Sequence, residues 1–155
     1  MLYDVIIIGG GPAGCAAAVY TARKKLKTLF ITESFGGQSI VSDDVQNWIG
    51  EKHISGFELA KKLEEHVRNF PEVVEIKAAE LATEINTVDC KEVVPSLASK
   101  MSEAKLGTYK NCTFEVTSNK GNKYAGKTII LTQGARRKKL GIPGEKEFEG
   151  KGVAY

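Results

Sequence analysis

Histidine and cysteine are scarce in this sequence, and so is any surplus of one charge. Two of the 155 residues are histidine and three are cysteine. His53 and His66 have no Cys, Asp or Glu at a spacing that makes a convincing ligand set, so a metal centre has little support. Cys15, Cys90 and Cys112 are far apart, odd in number and without a C-x-x-C. That argues against a disulfide framework or zinc site and fits a reducing, cytoplasmic compartment. The net charge is only +3, which gives no footing for nucleic acid or a membrane surface. Residues 5–22 carry no charge, yet Gly9, Gly10, Gly11, Pro12 and Gly14 interrupt them. No basic segment precedes them either, so they are neither a spanning helix nor a signal peptide. Repeats and low-complexity runs are absent.

What remains is an ordinary globular composition, 42% apolar and 26% charged, in one domain's length of chain. "DVIII" and "KTLFITE" read as buried strands, with an alanine-rich helix from Pro12 between them. A polar, glycine-containing loop covers 34–54. Ser55 and Glu58 form an S-x-x-E capping box for a helix that presents Leu59, Leu63 and Val67 on one face and stops at Pro71. "EVVEIKA" is a third strand. Strand–helix–strand–helix–strand is the order of a parallel, doubly wound sheet. "ATEINTV", "CTFEVTS" and "KYAGKTIILT" then read as strands, with a hairpin turn at 119–122 around Gly121. The expected fold is α/β: a Rossmann-like, three-layer fold, whose parallel sheet is joined by a β-meander crossover. Residues 89–110 read as an insertion, with a helix at about 95–105 carrying Leu97 and Met101 and capped by Gly107.

Gly9, Gly11 and Gly14 form G-x-G-x-x-G between a strand and a helix. The first glycine makes the turn, the second admits a pyrophosphate to the backbone, and the third lets helix and strand pack closely. Glu33 is the acidic residue expected about 20 positions on, where a carboxylate accepts the ribose hydroxyls and repels a 2′-phosphate. This points to FAD or NAD rather than NADP. The bland readings are a structural turn and a surface carboxylate. In "FGGQSIVSDDVQNWIG", Gly36 and Gly37 offer close backbone approach, while Gln38 and Asn47 offer amides for a flavin's polar edge. Taken alone, the stretch is equally an ordinary polar loop.

Together, "VIIIGGGPAGCAAAVYTARKKLKTLFIT", "GGQ…QNWIG…SGFELAKKLEEHV", "TIILTQGA" and "LGIPGEKEFEGKGVAY" resemble the low-molecular-weight thioredoxin reductases, pyridine nucleotide-disulfide oxidoreductases. The resemblance covers the chain apart from about 89–110. It implies that Gly9, Gly11, Pro12, Ala13 and Gly14 hold the FAD pyrophosphate and that Glu33 binds the adenosine ribose. Gly37, Gln38, Ser42 and Asn47 would line the flavin side, and Gly134 would pass the cofactor. Ser42 stands where the family usually has threonine. Thr132, Gln133 and Gly134 stand where it usually has Ala-Thr-Gly.

The resemblance further implies that residues 1–155 are the first segment of a discontinuous FAD domain, ending just before the redox-active C-x-x-C and the NADPH-binding domain. In the complete enzyme NADPH would reduce the flavin, and the flavin a disulfide serving a thioredoxin-like protein. This chain alone would then be inactive, bind FAD weakly or not at all, and self-associate. The alternatives are a thioredoxin-reductase-like ferredoxin–NADP reductase without the dithiol, and a non-catalytic nucleotide-binding module. None of the cysteines is assigned a catalytic role. Cys15 reads as a small packing residue, although a helix start can lower a thiol pKa. Cys90 and Cys112 read as free thiols rather than a pair. The basic run 136–139 reads as a solvated connector.

Overall fold

The computed structural model describes residues 1–88, 91–93, 108–110, 112–135, 141–145 and 147–148. In chain order its elements are β1 (Leu2–Tyr3), β2 (Val5–Ile8), α1 (Pro12–Arg23), β3 (Thr28–Thr32), a 3-10 helix (Gly37–Val41), α2 (Gly56–Arg68), β4 (Val74–Ala78) and β5 (Ala82–Val88). These are followed by β6 (Lys91–Val93), β7 (Thr108–Lys110), β8 (Thr113–Ser118), β9 (Lys123–Gly126) and β10 (Ile129–Leu131).

The core sheet is parallel, in the order β10-β2-β3-β4. Every residue of β2 and β3 is buried, as strands covered on both faces must be. The period-2 alternation decides what covers each face. Val5, Ile7 and Phe30 face the helices, against Cys15, Ala18 and Ala22 of α1 and Val67 of α2. Ile6, Ile8, Leu29 and Ile31 face the other way, toward Val116 of the second sheet, ordered β1-β9-β8-β5. Helices, parallel sheet and meander are the three layers expected.

The capping box forms: Glu58 N–H donates to Ser55 Oγ at 3.2 Å, and Ser55 N–H donates to Glu58 Oε2 at 3.3 Å. It satisfies two otherwise orphaned N–H groups. Several details depart from the sequence reading. Helix α2 ends at Arg68 with Asn69 as its cap, before Pro71 obliges it to. The 34–54 loop contains the 3-10 helix and a bridge between Val45 and Ile54. The stretch 123–132 is one run in sequence but two strands in space. At Lys127 and Thr128 the chain leaves the meander for the core sheet, with Lys127 N–H donating to Tyr3 O at 3.0 Å and Ile6 N–H to Thr128 O at 2.9 Å.

The insertion's flanks, expected to lead into a helix, are strands: β6 and β7 pair antiparallel. The expected helix with Leu97 and Met101 lies outside the described residues, as do Gly107, the basic run 136–139 and Cys90. Cys112 is disulfide-bonded, which corrects its reading as a free thiol. No helix among the described residues is long and apolar enough to cross a membrane.

Candidate functional site

The C-terminal ends of β2, β3 and β10 converge on the start of α1. That is where an open α/β sheet leaves a crevice. The three fingerprint glycines meet three different demands there. Gly9 adopts φ +114°, and a Cβ on it would lie 2.3 Å from the Thr132 carbonyl oxygen. A Cβ on Gly14 would lie 1.9 Å from the Gly9 carbonyl oxygen, so Gly14 is required for helix–loop packing. A Cβ on Gly11 would meet nothing within 4 Å. Local packing therefore does not require a glycine at 11; the empty space beside it is room for a ligand.

Gly11 is also the N-cap of α1 and supplies no side-chain cap, and the first turn carries no acidic residue. The positive helix end is thus left to a ligand's negative charge. The 3-10 helix comes in beside it. Gly36 N–H donates to Gly10 O at 2.9 Å, and a Cβ on Gly37 would come within 3.3 Å of Gly11 Cα. Gln38 Nε2 donates to the Ala135 carbonyl, linking the 3-10 helix to the segment after β10.

Between these parts lies a cleft of about 710 Å³, within the range of small-molecule sites. Gly9, Gly11, Pro12 and Ala13 line it, with Gly37 close beside Gly11, and so do Glu33, just past the end of β3, Gln38 and Gly134. Four expected site residues are not among those lining it. Gly14 lies beneath the loop. Gly36 faces α2, where a Cβ would be 2.6 Å from Ala60 Cβ. Ser42 caps the 3-10 helix, and its hydroxyl donates to Asp44 O at 3.2 Å. Asn47 is exposed in the loop beyond.

The sequence reading missed the wall made by Glu80, Leu81 and Ala82, and gave Thr132 no part in holding the loop. Glu80 is only 4% exposed. Burial opposes its charge, but hydrogen bonds from Ser118, Asn122 and Tyr124 outweigh that, and its pKa lies below the usual value. A carboxylate at a strand end ordinarily reads as a surface residue. No local signal announces that three donors wait on a hairpin some 40 residues later.

Cys15 is not activated by the helix start. Burial, then the Glu64 carboxylate, pushes its thiol up to about 11. No cluster of three or more metal-ligating side chains occurs among the described residues.

The cleft suits a dinucleotide's pyrophosphate and ribose. It pairs a free helix end and ligand room beside Gly11 with a carboxylate at the end of the second core strand. No lysine or arginine is among its described lining residues, and the backbone at Gly11 and the start of α1 is open to the phosphates.

Comparison with known proteins agrees. The family described as pyridine nucleotide-disulphide oxidoreductase matches residues 3–155. Thioredoxin reductase of Bacillus subtilis (strain 168) is 40% identical over 155 residues, covering 99% of this chain and 41% of that protein. An alkyl hydroperoxide reductase component of Pseudomonas aeruginosa is 37% identical over 154 residues, covering 99% of this chain and 25% of that protein. Among solved structures, thioredoxin reductase from Streptococcus pyogenes MGAS5005 superposes with a TM-score of 0.71 at 32% identity, covering 99% of this chain and 42% of that one. The chain thus spans between a quarter and about two fifths of the length of the relatives it matches. From its fingerprint, its three-layer fold and this match along nearly its whole length, the chain belongs to the pyridine nucleotide-disulphide oxidoreductase family.

Proposed function

We propose that these residues form the FAD-binding part of a thioredoxin-reductase-like flavoprotein. The observation that carries the proposal is the cleft at Gly11, where a Cβ would meet no protein atom within 4 Å and which Glu33 also lines. Bound there, FAD would supply two-electron transfer between a reduced nicotinamide and a disulfide. The chain's own residues bind and orient. Gly9 and Gly14 hold the loop, Gly11, Pro12 and Ala13 receive the phosphates, and Glu33 accepts the ribose hydroxyls. Gly37, Gln38 and Gly134 border the path toward the flavin.

The relatives support a division of labour. Proteins named for different acceptors, a thioredoxin reductase and an alkyl hydroperoxide reductase component, are 40% and 37% identical to the same residues. We read what they share here as the cofactor-binding part. NADPH as donor and a thioredoxin-like protein disulfide as acceptor are the finer parts of the proposal, in a cytoplasmic setting where such reduction operates. Ser42 and Asn47 do not line the cleft, so the flavin ring would gain fewer contacts here than the ADP half. We therefore expect weak FAD binding by these residues alone. Self-association goes with the exposed apolar side chains of Val41, Ile49 and Phe57.

Calorimetric titration of the chain with ADP, FAD and 2′-phospho-ADP tests this. ADP should bind, FAD should bind little more tightly, and the 2′-phosphate should weaken binding. Absence of ADP binding, or an unchanged affinity in Glu33→Ala, would refute the site.

A further inference from the structure

We infer that Glu80 is a positioning residue, which ties the tip of the β8–β9 hairpin to the ribose end of the cleft and so holds Glu33 in place. The inference rests on reading the cleft as an adenosine-nucleotide site. Glu80 lines the cleft, but its carboxylate is bonded to the hairpin, so its effect on the ribose runs through Glu33.

Glu80 sits one residue past Ala79, which holds φ +54°. A residue with a Cβ disfavours that left-handed conformation. Here it precedes a carboxylate that the fold buries almost completely. Glu80 Oε1 accepts hydrogen bonds from Asn122 Nδ2 at 2.9 Å and Tyr124 OH at 2.8 Å, and the Ser118 hydroxyl also bonds this carboxylate. All three donors belong to one hairpin. On its backbone side, Glu80 N–H donates to Thr32 O at 3.1 Å. Thr32 is the last residue of β3 and is bonded covalently to Glu33. The next residue is gripped as well: Leu81 N–H donates to Asn119 Oδ1 at 3.0 Å, and Leu81 O accepts from Asn119 N–H at 2.8 Å.

The chain therefore runs without a break from hairpin tip, through Glu80, to the residue before the ribose acceptor. A buried charge is a poor way merely to glue two layers, since apolar packing does that as well or better. A fully satisfied polar network does something else: it fixes one geometry. The geometry fixed here is the end of β3, where Glu33 must reach two hydroxyls. Glu80 should consequently matter more for reading the ribose than for binding the phosphates.

The test compares ADP with 2′-deoxy-ADP, by calorimetry on the flavin-free chain. One charge-assisted hydrogen bond to the 2′-hydroxyl gives the wild type a preference for ADP of about tenfold. Glu80→Ala should reduce it to about twofold. Glu80→Gln should restore it, because its Oε1 can accept from Asn122 and Tyr124 while its amide donates to Ser118. If Glu80→Ala does not give a cooperative melt, Tyr124→Phe and Asn122→Ala each remove one donor and should lower the preference to about threefold. A uniform loss of affinity for both ligands, with the tenfold preference kept, would make Glu80 a structural residue only and overturn the inference. A wild type that binds ADP without preferring it overturns the ribose reading and this inference together. A wild type that prefers ADP while every variant does too overturns the inference alone.

Discussion

The Thr132 hydroxyl donates to the carbonyl oxygen of Gly9 at 3.0 Å, across 123 residues of sequence. The same hydroxyl lies 2.9 Å from Ile8 O. The phosphate loop is thus fastened to the end of the last core strand, and its shape depends on a residue far from the fingerprint. Thr132→Val keeps the volume and removes the donor. It should cost about 1–2 kcal/mol of stability, read as a lower urea midpoint at unchanged slope. Thr132→Ser should keep most of the wild-type value.

Gly11 and Gly14 should fail in opposite ways. Gly14→Ala places a methyl 1.9 Å from a backbone oxygen that has nowhere to go, and should destabilise the fold by about 1–3 kcal/mol. Gly11→Ala meets no protein atom within 4 Å and sits at an ordinary φ of −74°. It should melt within about 0.5 kcal/mol of wild type while losing ADP affinity at least about tenfold. Thermal melts and calorimetry on the same samples separate the two.

Cys15 should be inert in the native state. It is 1% exposed, and its thiol is pushed up to about 11, so little thiolate exists at pH 8. Iodoacetamide followed by peptide mapping should leave it unmodified until the chain is unfolded in urea. Rapid native labelling would contradict the packing seen here.

Stability should fall in acid. Glu80 and Glu75 both have pKa values below their ordinary 4.5. Glu80 is lowered despite burial by its three hydrogen bonds, and Glu75 by hydrogen bonds from Lys77 and Tyr3. The folded state binds their protons less readily than the unfolded state. Their contribution is therefore complete above about pH 4.5 and is lost as pH falls through the folded values. Urea midpoints measured from pH 7 to pH 3 should drop, and Glu80→Gln should flatten part of that drop. A midpoint independent of pH over this range would remove both groups from the account.

A polypeptide limited to these 155 residues should show no NADPH-dependent reduction of a generic disulfide beyond free FAD. Its sequence holds no C-x-x-C, and Cys15 is buried. Turnover abolished by alkylating its cysteines would overturn that expectation.

Much of this was legible locally. The glycine spacing, the β-branched runs and the Ser55–Glu58 box each act within a few residues, so the sequence alone determined three core strands, both helices and the place of the loop between them. The continuous apolar runs also sufficed to show that β2 and β3 are covered on both faces. Glu33 was readable as a cleft residue because it is the acidic residue about 20 positions after the glycine fingerprint, at the end of the second strand.

The tertiary structure decided whatever depends on residues distant in sequence. It put Thr132 beneath Gly9 and split 123–132 between two sheets. It left Ser42 and Asn47 outside the cleft, and it turned Glu80 from an apparent surface charge into a buried link between the hairpin and the end of β3. The reason is physical. Backbone turns and caps are satisfied by neighbours a few residues away, whereas a buried carboxylate needs donors, and only the packed chain determines which distant segment supplies them.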